Sequence, residues 1–266
     1  MIKDIENYKQ SKYWNETTVQ DWVDLDNSLN ERFSQITQKL FENTYFKKDS
    51  RVLDIGCGSG YTTKYISDKI TSHGRVVGID LSCPLLELSK KKYNHCSNIK
   101  FINADAQNYK FKKKYFEYVF SRFGVMFFED PVKAFINIKR SMKSGAIIKF
   151  VCWHSLKKND FFTIPIRAVR KSIKIDYPKE NNEPGPFAFS DKSYIKSILE
   201  RSGYHNIKIT NLNTSILTSD LPEVNSDLLM KIGIGARLIR DEKITLKKRL
   251  IIKKAIENIS KHKTIN

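Results

Sequence analysis

Three carboxylates stand where a hydrophobic run gives way to a turn, and such side chains can bind polar groups of a ligand. Asp54 lies in "VLDIGCGSG" (52–60), Asp80 ends "RVVGID", and Asp105 ends "IKFINAD". Carboxylates accept hydrogen bonds from hydroxyl and ammonium groups, and they repel phosphate. The three acids therefore favour a ligand with hydroxyl groups and a cationic end.

Three glycines in the first stretch, Gly56, Gly58 and Gly60, separate it from two phosphate-binding motifs. The dinucleotide fingerprint needs its third glycine at the position of Tyr61. A phosphate-binding P-loop needs a Gly-Lys-Ser/Thr sequence, which "GYTTK" lacks. Asp54, two residues before the first glycine, also disfavours a phosphate.

The second and third acids narrow the ligand further. A carboxylate after the second strand, here Asp80, can accept hydrogen bonds from both hydroxyls of a ribose. Asp105, together with the backbone of Ala106, can bind the edge of an adenine. The pattern indicates a ligand with ribose, adenine and a cationic end, but no phosphate.

These acids must be positioned by strands, and the hydrophobic pattern predicts strands that alternate with helices. Five strands are predicted, at 51–55, 75–80, 99–105, 116–123 and 145–153. Helices are predicted at 59–70, after Ser82, and from Asp130-Pro131 to about Met142. This alternation predicts an α/β fold with a parallel sheet, in which ligands bind beyond the carboxyl ends of the strands.

Further elements flank this core. An apolar helical stripe near the N-terminus contains Leu29, Phe33, Ile36, Leu40 and Phe41. A proline-rich loop at 176–189 precedes a helix that Ser190 or Asp191 can cap and Gly203 can end, and "HNIKIT" (205–210) predicts a sixth strand. We expect three parts: an N-terminal helical cap at 1–45, a core at 46–155, and lid or substrate-binding helices with the last sheet strands at 156–266.

The motifs around the acids resemble those of one family. "VLDIGCGSG", "VVGIDLS" and "NADAQN" resemble the cofactor motifs of class I (Rossmann-like) SAM-dependent methyltransferases. Residues 118–153, "GPFAFSD" and the N-terminal "YWN" resemble the small-molecule branch that includes ubiquinone/menaquinone-type enzymes. The resemblance covers about residues 13–210. It implies a mostly parallel, seven-stranded-type sheet flanked by helices, and methyl transfer from S-adenosylmethionine (SAM) to a small-molecule acceptor, with S-adenosylhomocysteine as product.

The resemblance also implies a set of cofactor-binding residues: Asp54, Gly56, Gly58, Gly60, Asp80, Leu81, Asp105, Ala106, Ser121, Tyr13 and Trp22. Asp54 and the carbonyl of Ser121 would hold the amino group of SAM. The glycine backbone would pass under methionine and ribose, and Asp80 would bind the ribose hydroxyls. Leu81 would pack on the adenine, and Asp105 and Ala106 would bind its edge. Tyr13 and Trp22 would close over the cofactor.

Methyl transfer from a sulfonium is an in-line displacement, in which alignment of the reactants can supply roughly 7–11 kcal/mol. A general base is needed only where the acceptor must lose a proton. His154, after the fifth strand, is a candidate base, and Arg122, after the fourth, is a candidate for binding an acidic acceptor. Each could instead serve the structure, His154 in a loop and Arg122 as the partner of an acid.

The stretch after the fourth strand bears on the acceptor. Enzymes that methylate amino groups of nucleic acids and glutamine resemble one another in an Asp/Asn-Pro-Pro-Tyr/Phe motif at this position. This chain has "SRFG" there instead. A small-molecule acceptor is therefore our first interpretation. The formal net charge of +18 keeps an RNA or protein acceptor as the alternative, although the lysines are spread along the whole chain. A non-catalytic SAM-binding protein is a third hypothesis.

The remaining signals concern metals, compartment and the end of the sheet. The four cysteines lack metal-binding spacing, so we expect free thiols and no metal. The N-terminus lacks the apolar core of a signal peptide, and no apolar run approaches the ~20 residues of a membrane helix, which predicts a cytoplasmic protein. The last sheet strand is either supplied by "TSILT" (214–218) or missing.

Overall fold

The computed structural model describes residues 7–216, 218–242 and 244–260. Contacts divide the chain into two compact units. The first contains the residues up to Val23, 37–153 and 182–210, and the second contains 24–36, 154–181 and the residues from 211 onward.

The helices, numbered in chain order, are α1 (Tyr8–Lys12), α2 (Val19–Asp24), α3 (Asp26–Arg32), α4 (Ser34–Phe41), α5 (Tyr61–Ser67), α6 (Cys83–Tyr93), α7 (Pro131–Ser141), α8 (Asp160–Ser172), α9 (Lys192–Arg201), α10 (Pro222–Lys231), α11 (Gly233–Asp241) and α12 (Leu246–Ser260). A π-helical turn at Tyr13–Thr17 lies between α1 and α2, and short 3₁₀ turns occupy Val125–Phe127 and Leu156–Lys158. The strongly helical N-terminal region agrees with the apolar stripe in the sequence.

The first unit is built on a parallel sheet of β1 (Arg51–Ile55), β2 (Arg75–Asp80), β3 (Ile99–Asn103), β4 (Phe116–Arg122) and β5 (Met142–Val151). The strand order is β3-β2-β1-β4-β5, and every neighbouring pair is parallel. Asp54 lies opposite Gly78 on β2, and Asp80 lies opposite Asn103 on β3. The predicted α/β fold is confirmed, and the register brings the predicted acids to one edge of the sheet.

Two hydrophobic clusters cover the faces of this sheet, because successive side chains of a strand point to opposite faces. Leu53 contributes to one cluster together with residues of α7 and α9, and Phe135 of α7 is fully buried there. Val52 and Phe120 contribute to the other cluster, which includes residues of α5. A sheet that is covered on both faces fits its nearly continuous apolar strands.

Local sequence explains where the flanking helices begin. Ser82 precedes α6, and its hydroxyl accepts a hydrogen bond from the N–H of Leu85 at 3.4 Å. Asp130 precedes α7, and its Oδ1 accepts one from the N–H of Lys133 at 2.9 Å. In both helices a proline stands in the first turn, where its missing N–H costs no helical hydrogen bond. Both predicted starts are confirmed.

The far end of the sheet differs from the predicted one. Within the described residues the sheet has five strands, and "HNIKIT" (205–210) forms no strand. Its two isoleucines, Ile207 and Ile209, pack on the core of the first unit instead. The alternating isoleucines that predicted a strand are thus buried, but their segment does not pair with the sheet through backbone hydrogen bonds. The described residues of 214–218 form no strand either, and residue 217 lies outside the described residues.

The second unit is helical. Helix α8 contacts α10, α11 and α12, and α10 also contacts α11 and α12. Its core includes Phe162, Ile164, Ile252 and Ile256, each at most 2% exposed. No helix in the described part of the chain is both long and apolar enough to cross a membrane.

Candidate functional site

Asp54 is a fully buried carboxylate in the central strand β1. Its Oδ2 accepts hydrogen bonds from the hydroxyls of Thr62 (2.7 Å) and Thr63 (2.6 Å) in the first turn of α5. Its Oδ1 is buried without a hydrogen-bond partner among the described residues. Burial raises the pKa of Asp54 to about 6, against the opposing effect of the two hydroxyls. A buried oxygen without a donor is suited to a donor group from a ligand.

The glycine turn after β1 is held close to the backbone that follows β4. Gly56 has a φ of +66°, and a Cβ at this position would lie 2.7 Å from the Cα of Gly124. Gly58 has a φ of +53°, but a Cβ there would meet only a methyl carbon of Leu85, at 3.9 Å. Because glycine is tolerated at positive φ, the turn can pack tightly on one side and leave space on the other.

Asp80, the last residue of β2, holds this turn in place. One carboxylate oxygen accepts a hydrogen bond from the N–H of Gly58 at 2.7 Å, and the other accepts one from the N–H of Ser82 at 2.8 Å. Burial raises the pKa of Asp80, and these backbone donors counteract the rise. Since each carboxylate oxygen can accept more than one hydrogen bond, Asp80 retains acceptor capacity for hydroxyl groups of a ligand.

The third acid is engaged mainly in its own loop. Oδ1 of Asp105 accepts a hydrogen bond from the N–H of Gln107 at 2.9 Å, and Oδ2 accepts one from the side chain of Asn7 at 3.4 Å. Ala106 is buried, and its carbonyl accepts a hydrogen bond from the side chain of Asn137 at 3.0 Å. This loop is therefore fixed beside the ends of β2 and β3.

Ser121 and Arg122 end β4 next to the glycine turn. The buried hydroxyl of Ser121 donates to the carbonyl of Ile55 at 2.8 Å and accepts from the N–H of Gly124 at 3.1 Å. Arg122 donates to the hydroxyl of Thr37 at 2.8 Å. Its positive charge also lowers the pKa of Asp54. These contacts fit the structural alternative for Arg122, and its role in binding an acceptor stays a prediction.

The aromatic residues near the N-terminus surround one that sequence analysis did not select. The ring of Trp14 lies 5.3 Å from that of Tyr13, 5.4 Å from that of Trp22 and 5.2 Å from that of Phe127, between centroids. Tyr13, Trp14 and Trp22 are half-buried. These contacts join the N-terminal segment to the loop after β4.

Asn15, in the π-helical turn, is a further residue that the sequence did not single out. Its side chain donates to the carbonyl of Leu81 at 3.2 Å and accepts from the N–H of Cys83 at 2.8 Å. The hydroxyl of Ser82 donates to the carbonyl of Trp14 at 2.8 Å. The N-terminal segment thus lies on the loop that follows Asp80, and the only sequence signal was an amide within "YWN".

Comparisons with known proteins agree with this geometry. A family model described as a methyltransferase domain matches residues 53–150. The demethylmenaquinone methyltransferase of Staphylococcus haemolyticus is 29% identical over 196 residues, which cover 68% of this chain and 80% of that protein. These similarities support a class I SAM-dependent methyltransferase.

Solved structures share the fold of this methyltransferase. Phosphoethanolamine N-methyltransferase 2 of Haemonchus contortus, in complex with SAM, matches with a TM-score of 0.59 at 16% identity, over 98% of this chain and 57% of that chain. The YcgJ protein of Bacillus subtilis matches with a TM-score of 0.53 at 16% identity, over 82% of this chain and 86% of that chain. At these identities the likeness concerns the fold alone.

Two observations on the methyltransferase fit SAM as its cofactor. The buried Oδ1 of Asp54 lacks a donor among the described residues, and an ammonium group would supply one. The open side of Gly58 leaves room that a side chain would fill. The donors and acceptors at this edge are carboxylates and backbone groups, which suit a cationic nucleoside better than a phosphate.

Beside the glycine turn, two aromatic rings form a stack. Phe123 and Trp153 have ring centroids 4.1 Å apart and an angle of 4° between ring planes, and both are half-buried. Phe123 has a φ of +64°, although it is not a glycine. Two nearby aromatic residues, Phe128 and Phe189, lie in the hydrophobic core.

The other candidate catalytic residue, His154, lies in the second unit and is exposed. Its Nδ1 accepts a hydrogen bond from the N–H of Ser155 at 2.6 Å, and its carbonyl accepts one from the side chain of Asn159 at 2.8 Å. These contacts fit the loop-anchoring role that the sequence left open for His154.

Proposed function

We propose that this methyltransferase acts on a small, planar and apolar acceptor that stacks on Phe123 and Trp153. The parallel, half-buried stack of these two rings carries the proposal. Gly124, the next residue after Phe123, contacts the glycine turn at Gly56. An acceptor on this stack would therefore lie next to a cofactor held by the turn. Aromatic faces favour offset stacking with a flat ring, which would orient the accepting atom.

Backbone strain at Phe123 supports a role for its ring. A non-glycine residue at positive φ costs about 1–3 kcal/mol, and such strain is concentrated at functional sites. A glycine at this position would remove the strain, but it would also remove the stack with Trp153. A role of the Phe123 ring in binding the acceptor therefore explains this residue better than a role in stabilising the fold.

The name of a relative supports the same class of acceptor. The protein of Staphylococcus haemolyticus is named for demethylmenaquinone, whose ring is flat and apolar. The fold alone does not select this class, since a protein of the same fold is named for phosphoethanolamine. The aromatic stack and the relative's name, taken together, favour a ring compound over RNA or a protein.

We further propose which part of SAM each site residue binds. Oδ1 of Asp54 would accept a hydrogen bond from the amino group of SAM, with the carbonyl of Ser121 as a second acceptor. Asp80 would bind the ribose hydroxyls, and the loop of Asp105 would bind adenine. SAM supplies a methyl group that is already activated on a sulfonium. The chain's own task is to align the acceptor ring and exclude water, so no catalytic base is assigned to His154.

The test is methyl transfer from isotopically labelled SAM to a panel of acceptors. The panel contains a reduced, short-chain demethylmenaquinone, bulk tRNA, and an unfolded protein mixture. The key variant is Phe123→Leu, which keeps apolar volume and the backbone strain but loses the ring face. Phe111→Leu, a half-buried aromatic residue in the loop before β4, is the matched control.

We expect label in the quinol, and a KM for the quinol that rises about two- to twelvefold in Phe123→Leu, as loss of a stack worth about 0.5–1.5 kcal/mol implies. The affinity for S-adenosylhomocysteine should not change, and Phe111→Leu should behave as the parent. Label in tRNA or protein but not in the quinol would contradict the proposal. An unchanged KM in Phe123→Leu would remove the stack from the acceptor site.

A further inference from the structure

The first two turns of α12 project from the second unit. All seven residues from Thr245 to Ile251 are exposed, and the first buried residue of the helix is Ile252. Three of the seven carry large apolar side chains: Leu246 is 74% exposed, Leu250 60% and Ile251 53%. Isolated exposed aliphatic residues are ordinary, but here Leu246 and Leu250 lie one turn apart on the same side of the helix, and Ile251 follows directly after Leu250.

Cationic side chains accompany these aliphatic ones. The stretch "LKKRLIIKK" (246–254) contains five lysines and arginines and no acid. Lys253 forms an ion pair with Asp227 at 2.6 Å, and Arg249 donates to the carbonyl of Ile244. Lys247, Lys248 and Lys254 are exposed, and among the described residues they form no ion pair. The exposed end of α12 is therefore both apolar and positively charged.

We infer that the exposed end of α12, which consists of residues 245–251 and Lys254, docks on an anionic lipid surface. At such a surface the aliphatic side chains enter the boundary between head groups and acyl chains, while lysines reach the lipid phosphates. A second copy of the chain fits less well, because two such ends would bring like charges together. RNA also fits less well, since leucine and isoleucine offer no aromatic face for a base. This inference does not depend on the identity of the methyl acceptor.

The experiment is co-sedimentation of the full chain with vesicles. One set consists of phosphatidylcholine alone, and the other of equal parts phosphatidylcholine and phosphatidylglycerol. The first variant is Leu246→Ser/Leu250→Ser/Ile251→Ser, and the second is Lys247→Gln/Lys248→Gln/Lys254→Gln. The control is Ile147→Ser, which changes an isoleucine that is 51% exposed on β5 of the first unit.

We expect the parent to bind the anionic vesicles, to bind phosphatidylcholine at least tenfold more weakly, and to lose affinity as salt rises. Each lysine removed should weaken binding about fivefold, and the serine variant should lose about tenfold or more. Ile147→Ser should bind as the parent. All variants should keep their affinity for S-adenosylhomocysteine and their helical content, because Ile252 and Ile256 still anchor the helix.

Four outcomes would overturn the inference. The parent could fail to bind anionic vesicles at low salt, or the serine variant could bind them as well as the parent does. Alternatively, light scattering could show a dimer that the serine variant no longer forms, which would assign the surface to a second copy. Binding of bulk tRNA with no binding to vesicles would assign it to a nucleic acid.

Discussion

Asp54 holds its proton more tightly than an ordinary carboxylate does, so the affinity of the methyltransferase for S-adenosylhomocysteine should depend on pH. Burial raises the pKa of Asp54 to about 6 from 3.8. Below that pKa the carboxyl group is neutral and cannot pair with the amino group of the ligand. The ligand's own amino group stays charged over the same range, because α-amino groups lose their proton near pH 8.

The size of the effect follows from the pKa. At about pH 7 roughly nine-tenths of the protein has an ionised Asp54, and at about pH 5 roughly one-tenth has. If the ligand binds only the ionised form, its dissociation constant rises about tenfold between these two pH values. The dissociation constant should level off above about pH 7.

Calorimetric titrations of S-adenosylhomocysteine across this pH range provide the assay, and two variants sharpen it. Asp54→Asn should bind more weakly and show no titration near pH 6. Thr63→Val removes a hydrogen bond that lowers the pKa of Asp54, so the midpoint should move to higher pH. Thr71→Val, which removes a hydroxyl bonded to the carbonyl of Lys48 elsewhere in the first unit, should leave the midpoint unchanged.

Two results would refute this reasoning. A parent protein whose affinity is flat between about pH 5 and 7 would show that Asp54 does not carry the charge that the ligand meets. A midpoint that stays in place in Thr63→Val would show that another group titrates. Either result would move the amino group of the cofactor away from Asp54, and the proposed arrangement at the glycine turn would then be wrong.

Three further predictions concern the same edge of the sheet. Asp80→Ala should weaken binding of S-adenosylhomocysteine about tenfold or more, because it removes a charge-assisted acceptor that also holds Gly58. Asp80→Asn should lose less of this affinity. Calorimetry measures both variants, and an unchanged affinity would contradict the placement of the ribose at Asp80. Gly56→Ala should lower the free energy of unfolding by more than about 1 kcal/mol in chemical denaturation, because of its positive φ and the 2.7 Å approach to Gly124. Asn15→Ala should weaken ligand binding about fivefold by loosening the N-terminal segment, with denaturation as the check that the core is intact.

The ionisation of Asp54 also makes the stability of the ligand-free protein depend on pH. Its folded-state pKa lies above the value of 3.8, so the ligand-free protein loses stability as pH rises from about 4 to about 6. The loss amounts to about 3 kcal/mol, because a pKa that is higher by one corresponds to about 1.36 kcal/mol. Asp54→Asn should therefore raise the free energy of unfolding of the ligand-free protein at neutral pH. Chemical denaturation at two pH values measures this, and a less stable variant would argue against a buried charge.

Much of the fold was predictable because its signals are local. Strands β1 and β2 have the predicted bounds, since both are short, mostly apolar runs with an acid at the last residue or next to it. The starts of α6 and α7 were predictable because a capping side chain and a proline in the first turn act within four residues. The sixth strand was predicted wrongly, because alternating isoleucines at Ile207 and Ile209 indicate burial and not pairing.

The sequence by itself determined the cofactor class, because the acids and glycines that we propose to hold it lie within short motifs at strand ends. It could not determine which oxygen of Asp54 lacks a donor, since that depends on two hydroxyls placed by α5. It could not select Trp14 or Asn15 either, because the contacts of Trp14 with Phe127 and of Asn15 with Leu81 join residues more than sixty positions apart in the chain. Only the tertiary structure brings Phe123 beside Trp153, since adjacent parallel strands align their carboxyl ends, and this stack defines the proposed acceptor.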